Sequence, residues 1–272
     1  MTSVIRFFVL SNIYVSLCVV ALVLSTQFIF FASFNFDVTS FLFVATFISY
    51  NFQRIISIYK IPNKKRKQWF ISNYKFICFL LFIALIVFIY IFIGFNNNAK
   101  LLIVLISSLS FMYPLFLRNI PYIKVYLIAF SWSLSTVLLP VIVEENSEIS
   151  IDVVLSLLSR FFFIIAITIP FDIRDIQLDI LKLKTIPILF GVEISKKISL
   201  IMLCLYLTLE LIQHLIITPN PQIMLSAVLC CIYTQFFIKR SHEKRGGYFY
   251  SFWVESCSLA LLFFLIITSI FL

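Results

Sequence analysis

The sequence predicts an all-α fold, a polytopic membrane bundle of about nine transmembrane helices. Of its 272 residues, 62% are hydrophobic and 18% aromatic against 12% charged, and the mean hydropathy is +1.09. A water-soluble domain of this length needs far less apolar surface. Apolar runs of about 20 residues, each long enough to cross a hydrocarbon core of roughly 30 Å as a helix, recur along the whole chain. Those runs are apolar on every side, whereas strands of a membrane barrel alternate apolar and polar residues, so helices are the spanning element.

In order, the first helix is predicted over about Asn12 to Phe34, without a small-residue cleavage site, and is read as retained. The second covers about Thr39 to Tyr59 after a short turn, and a basic link with Lys60, Lys64, Lys65, Arg66, Lys67 and Lys75 follows. The third, about Phe76 to Phe95, stops at Gly94 and the Asn96-Asn97-Asn98 tract. The fourth is about Lys100 to Leu117. Pro114 and Pro121 bracket a link carrying Arg118 and Lys124, and the fifth spans about Ile123 to Val143 before the acidic link of Glu144, Glu145, Glu148 and Asp152. The sixth covers about Ile151 to Ile173. The seventh (about Ile194 to Ile217) and eighth (about Pro221 to Ile238) are divided by Thr218-Pro219-Asn220-Pro221. A last link with Lys239, Arg240, Lys244 and Arg245 leads to the ninth, about Ser251 to Leu272.

With the N-terminus in the cytoplasm, the links after helices two, four, six and eight lie inside and carry nearly every lysine and arginine. The expected protein is thus an integral protein of the cell (plasma) membrane, N-terminus cytoplasmic and C-terminus outside, read as a single domain over residues 1–272. The net charge of +9 sits in these links, which explains it by topology and contact with anionic membrane lipid and excludes nucleic acid as a partner. The six cysteines lie in or beside apolar runs without a CxxC pair, and His214 and His242 stand apart, so neither a zinc site nor haem ligation is expected.

Chemistry gathers between Pro170 and Gly191. Asp172, Asp175 and Asp179 stand at i, i+3 and i+7, which on a helix places three carboxylates within a sector of roughly 60°. Such a cluster repels itself unless cations compensate, and a divalent metal held through oxygens is a natural complement. Lys182, Lys184-Thr185, Pro187 and Gly191 follow.

This stretch resembles the second aspartate-rich motif of the UbiA superfamily of intramembrane prenyltransferases, a DxxDxxxD pattern ending the sixth helix with a lysine-threonine pair and a glycine after it. Tyr113-Pro114 with Arg118 resembles the family's link between helices four and five, and the helix count matches its topology. The resemblance implies an enzyme that transfers a polyprenyl group from a polyprenyl diphosphate to an aromatic or other lipophilic acceptor. It implies Mg²⁺ on Asp172, Asp175 and Asp179 as the catalytic and metal residues. It implies diphosphate contacts from Arg174, Lys182 and Lys184, with Asn51 and Arg118 as further candidates for the diphosphate, and a place for Tyr113 in the acceptor or prenyl pocket. Such ions neutralise a departing diphosphate and aromatic faces shelter the allylic cation.

The chain departs from the family at its first motif. Where NDxxDxxxD belongs, Tyr50-Asn51-Phe52-Gln53-Arg54 stands, and no Asp or Glu occurs between Asp37 and Glu144. Arg54 and the Lys64 to Arg66 run would then neutralise phosphate in place of one metal cluster. The rival reading is a non-catalytic protein of the same fold that binds an isoprenoid or lipid or serves a membrane complex. A small transporter fits less well, because the charge lies at one membrane face and no pair of broken segments marks an inverted repeat. Arg160 and Glu210 fall at similar depth in consecutive helices and are expected to form a buried ion pair.

Overall fold

In hydrocarbon every backbone N–H and C=O must be satisfied within its own segment, so even runs rich in β-branched and aromatic residues become helical. The computed structural model describes residues 3–31, 33–56, 64–115, 123–144, 149–179 and 185–271. Its helices are α1 (Ser3–Leu10), α2 (Ile13–Phe30), α3 (Phe36–Ile56), α4 (Lys64–Ser72), α5 (Tyr74–Gly94), α6 (Asn97–Leu115), α7 (Ile123–Val143), α8 (Ile151–Asp179), α9 (Ile186–Ile217), α10 (Pro221–Arg240) and α11 (Phe249–Phe271). Among the described residues there is no strand, and α2, α3 and α5 to α11 are the nine long helices. Seven of them, α2, α5 and α7 to α11, are long and apolar enough to cross a membrane. The chain is an integral membrane protein. Wider π-helical turns interrupt α7 at Leu134–Leu138, α9 at Gln213–Ile217 and α11 at Phe249–Val254.

The helices close into a ring. α2 packs on α3 and on α11; α3 packs on α5 and α6; α7 follows α6, and α8 lies between α7 and α9, with α10 joining α9 to α11. One apolar core centres on Phe163 to Ile173 of α8 with α9, α10 and α11, and a second on α2, α3, α5 and α6; Trp132 of α7 touches both. Turns sort to two ends. At one, Asn35 Nδ2 donates to Glu144 Oε1 (3.3 Å) and Asn96 Nδ2 to the Ile142 carbonyl (2.8 Å). At the other meet residues of the α1–α2 turn, the end of α3, the start of α7, the end of α8 and the start of α11.

Several elements differ from their expected bounds. A short helix, Ser3–Leu10, precedes the first expected helix across a left-handed Asn12 (φ 67°), and that helix ends at Phe30. α8 continues past Ile173 to Asp179, so the aspartates ride on the helix itself. Pro170 lies inside it, and a proline there has no N–H for the carbonyl four residues back. That carbonyl, of Ala166, instead accepts a 2.6 Å bond from Ser199 Oγ on α9. α9 starts at Ile186, eight residues ahead of its expected start, because Pro187 opens a short first turn before Gly191 breaks it at φ 77°, ψ 168°. Those angles are open essentially only to glycine. The turn before α10 is closed by Asn220, whose side chain accepts from the Gln222 and Ile223 N–H groups ahead of Pro221.

Arg160 and Glu210 do not form the expected ion pair. Arg160 donates to the Leu22 carbonyl (3.0 Å), Thr136 Oγ1 (3.4 Å) and Thr26 Oγ1 (3.5 Å). Glu210 accepts from Ser159 Oγ (2.5 Å) and lies 3.6 Å from His214 Nε2. Hydroxyls and the Leu22 carbonyl surround Arg160, while Ser159 and His214 flank Glu210, an arrangement that a count of depth along two helices cannot foresee.

Candidate functional site

The end of α8 carries its polar residues where apolar packing stops. Asp172 and Asp175, one turn apart, face a cavity of about 230 Å³. α3 contributes Tyr50 and Arg54 to its wall, α7 contributes Lys124, and α11 contributes Ser251 and Glu255. Arg174 and Thr168 of α8 and Asn12 of the α1–α2 turn complete the polar lining. The remaining walls are apolar or aromatic: Val9, Tyr14, Val15, Ile128, Trp132, Ile164, Ile167 and Phe171. The cavity therefore has charge at one end and hydrocarbon at the other, the form of a site for an amphiphile.

Each charge has an identifiable support. Asp172 is fully buried, with Oδ1 2.6 Å from Lys124 Nζ in the first turn of α7, an ion pair that bridges two packed helices. Arg174 grips the neighbouring Asp175 with Nε to Oδ1 at 2.7 Å and Nη2 to Oδ2 at 2.8 Å. Its guanidinium also lies 5.2 Å from the Phe171 ring centre and 5.8 Å from that of Tyr250. Tyr250 is itself anchored: its hydroxyl donates to the His242 carbonyl (2.6 Å) and accepts from the His242 N–H (2.8 Å). Tyr14 fixes α2 to α11 by stacking on Phe252 at 5.0 Å and donating to its carbonyl (3.0 Å).

Of the residues expected from sequence, Asp172, Asp175, Arg174 and Arg54 meet at this cavity. Asn51 does not line it. Its side chain is buried, donating to the Ser11 (3.1 Å) and Phe47 (2.9 Å) carbonyls and accepting from Asn12 Nδ2 (3.1 Å). Those bonds hold the left-handed turn at Asn12, so the amide is engaged by the protein rather than turned toward a phosphate. Arg54 serves the same turn, donating to the Leu10 carbonyl and to Asn12 Oδ1, while it also borders the cavity. Lys182, Lys184 and Arg118 lie outside the described residues, as do the side chains of Asp179, Tyr113, Lys64, Lys65 and Arg66.

Two of the three expected metal ligands, Asp172 and Asp175, have described side chains, one turn apart at the cavity. Among the described residues no group of three or more His, Cys, Asp and Glu is placed to hold an ion. Asp172 and Asp175 are each already beside a basic side chain. Two residues that the motif did not flag bring charge to the cavity, Lys124 and Glu255. The available signal for both was a charge at the beginning of an apolar run; for Lys124, membrane topology was a sufficient explanation.

No family model and no curated protein sequence matches the chain. Solved structures do. A UbiA homolog from Archaeoglobus fulgidus bound to GPP and Mg²⁺ superposes with a TM-score of 0.70 at 13% identity, over 97% of this chain and 99% of that one. The fold is UbiA-type. A UbiA homolog from Aeropyrum pernix K1 gives 0.67 at 14% identity over 100% and 99% of the two chains. Digeranylgeranylglyceryl phosphate synthase gives 0.63 at 16% identity over the full length of both. The UbiA-type ring is thus preserved across the whole chain, at identities that speak for the fold.

Proposed function

We propose that the chain is a membrane-embedded UbiA-like prenyltransferase. It would take a polyprenyl group from a polyprenyl diphosphate and pass it to an aromatic or other lipophilic acceptor. The observation that carries this reading is the convergence of Asp172, Arg174 and Asp175 with Arg54 and Lys124 at the charged end of an otherwise apolar cavity. The structural neighbours add that a protein of this fold is bound to GPP and Mg²⁺.

In this reading the diphosphate lies at the charged end, where Arg54, Lys124 and Arg174 supply N–H donors that strengthen as negative charge collects on the leaving oxygen. The donor's C1–O bond breaks, its electron pair leaves with the diphosphate, and the allylic cation forms against the faces of Trp132, Phe171 and Tyr14. The acceptor's nucleophilic atom bonds to C1 and loses a proton, for which Glu255 is the cavity carboxylate outside the α8 cluster. Low dielectric and exclusion of bulk water keep the cation from hydrolysis. Mg²⁺ would enter with the diphosphate as its counter-ion and help neutralise the leaving group beside Asp172 and Asp175.

Purified protein in detergent, titrated with geranyl diphosphate, tests the reading. Binding is expected, with weakening by Asp175→Ala because that carboxylate holds the Arg174 guanidinium in place, and release of inorganic diphosphate is expected when a phenolic or lipid-alcohol acceptor is added. Absence of binding with or without Mg²⁺ would sink it. Binding without diphosphate release over a panel of acceptors would favour the non-catalytic, isoprenoid-holding alternative. The missing first aspartate cluster is the observation that keeps that alternative in play.

A further inference from the structure

We propose that Lys124 takes at Asp172 the place of a divalent metal, so that this site binds a prenyl diphosphate without an ion held by that aspartate. The inference rests on the diphosphate-site reading and adds to it which cation does the work. Lys124 Nζ lies 2.6 Å from Asp172 Oδ1, with side-chain exposures of 15% and 1%, and both residues border the cavity. The lysine is in the first turn of α7, which packs along α8, so its ammonium reaches the carboxylate from a fixed neighbouring helix.

A metal at Asp172 would either displace this ammonium or sit beside it. Displacement breaks the ion pair that helps offset the burial of both groups, and adjacency sets a double positive charge against a single one in a poorly solvated place. The α3 wall supplies no carboxylate to share such an ion, and the cavity carboxylate outside α8 is Glu255 of α11. α3 presents Arg54 there, and the sequence has no Asp or Glu between Asp37 and Glu144. An ammonium has three N–H donors, so it can hold a carboxylate and a phosphate oxygen at once, the bridging role a metal otherwise fills.

The test uses the full chain in detergent and the non-ionising geranyl S-thiolodiphosphate, with affinity measured in EDTA and in Mg²⁺. Wild type is expected to bind in EDTA within about 3-fold of its affinity in Mg²⁺. Lys124→Met is expected to lose about 10-fold or more in EDTA, a loss that Mg²⁺ largely repairs because the ammonium no longer competes with the ion at Asp172. Asp172→Asn is expected to keep or improve binding in EDTA, since it removes negative charge from beside the phosphate and leaves the lysine.

Where Lys124→Met fails to fold, the paired variant Lys124→Met/Asp172→Asn removes both charges of the pair together, and it is expected to lose EDTA binding as well. The inference is overturned if wild type needs Mg²⁺ and Asp172→Asn abolishes binding in Mg²⁺, which makes Asp172 a metal ligand; the diphosphate-site reading then stands. It is also overturned if the paired variant binds in EDTA as well as wild type. No binding by wild type in either condition overturns the reading itself, and the inference with it.

Discussion

A buried amide side chain is either fully engaged by the protein or is a free hand for a ligand, and Asn51 is engaged. Its three hydrogen bonds join the Ser11 and Phe47 carbonyls and the Asn12 amide beneath a left-handed turn. Asn51→Ala orphans buried partners at a cost of about 1–3 kcal/mol for each group left unsatisfied. The expected result is a lower unfolding temperature in detergent, with geranyl diphosphate affinity unchanged at temperatures where the variant is folded. A large loss of affinity at unchanged stability would return Asn51 to the ligand side. Arg174 gives the opposite expectation. Its side chain is about a quarter exposed (23%) at the cavity, so Arg174→Met should cost affinity for the diphosphate, about 10-fold or more, with a smaller effect on unfolding. The α8 residues were legible in the sequence because three aspartates at helical spacing stand out in an apolar chain. The engagement of Asn51 was not, because it depends on a backbone turn 39 positions away.

At the scale of the element, α8 holds an exchange of hydrogen bonds that can be measured as a coupling. Pro170 removes the helix's own donor to the Ala166 carbonyl, and Ser199 Oγ of α9 replaces it at 2.6 Å. Ser199→Ala alone should destabilise by about 1–3 kcal/mol, because it leaves a buried carbonyl without a partner. In a Pro170→Ala background the helix regains its own N–H for that carbonyl, and the same serine substitution should cost far less. A double-mutant cycle by reversible unfolding in detergent reads the difference; equal costs in both backgrounds would show that Ser199 acts elsewhere. Gly191 marks the next break, and Gly191→Ala should cost about 1–3 kcal/mol from backbone strain alone. A Cβ built there meets nothing within 4 Å, so steric contact does not explain any loss. Helix existence was readable from apolar run length, since hydrocarbon leaves the backbone no other choice. The ends were not: α8 runs on to Asp179 and α9 starts at Ile186, in stretches where polar residues interrupt the apolar signal.

Across the whole molecule, helices that alternate in direction sort the links into two sets, and the geometry supports that sorting. Asn35, Asn96 and Glu144 belong to one end, through bonds from the α2–α3 and α5–α6 turns to the end of α7. Arg54, Lys124, Asp172 and Arg174 belong to the other, where the basic links also emerge. A cavity opening at the basic end draws an anionic headgroup toward it, and the same bias in lysine and arginine predicts that this end faces the cytoplasm. The division of the links between two ends was legible in the sequence, whereas the meeting of Asn12, Lys124 and Glu255 at one cavity needed the ring to be closed in space. Orientation is tested by placing single reporters at the two ends. Cys78 and Cys204, the two native cysteines that are not buried, are first replaced. Lys244→Cys, in the exposed link before α11, should resist a membrane-impermeant maleimide in intact cells and react in inside-out vesicles. Asn98→Cys, exposed in the first turn of α6, should show the reverse. Labelling of both from the same side would break the alternation itself, and the reversed pattern would put the charged mouth of the cavity on the outer face.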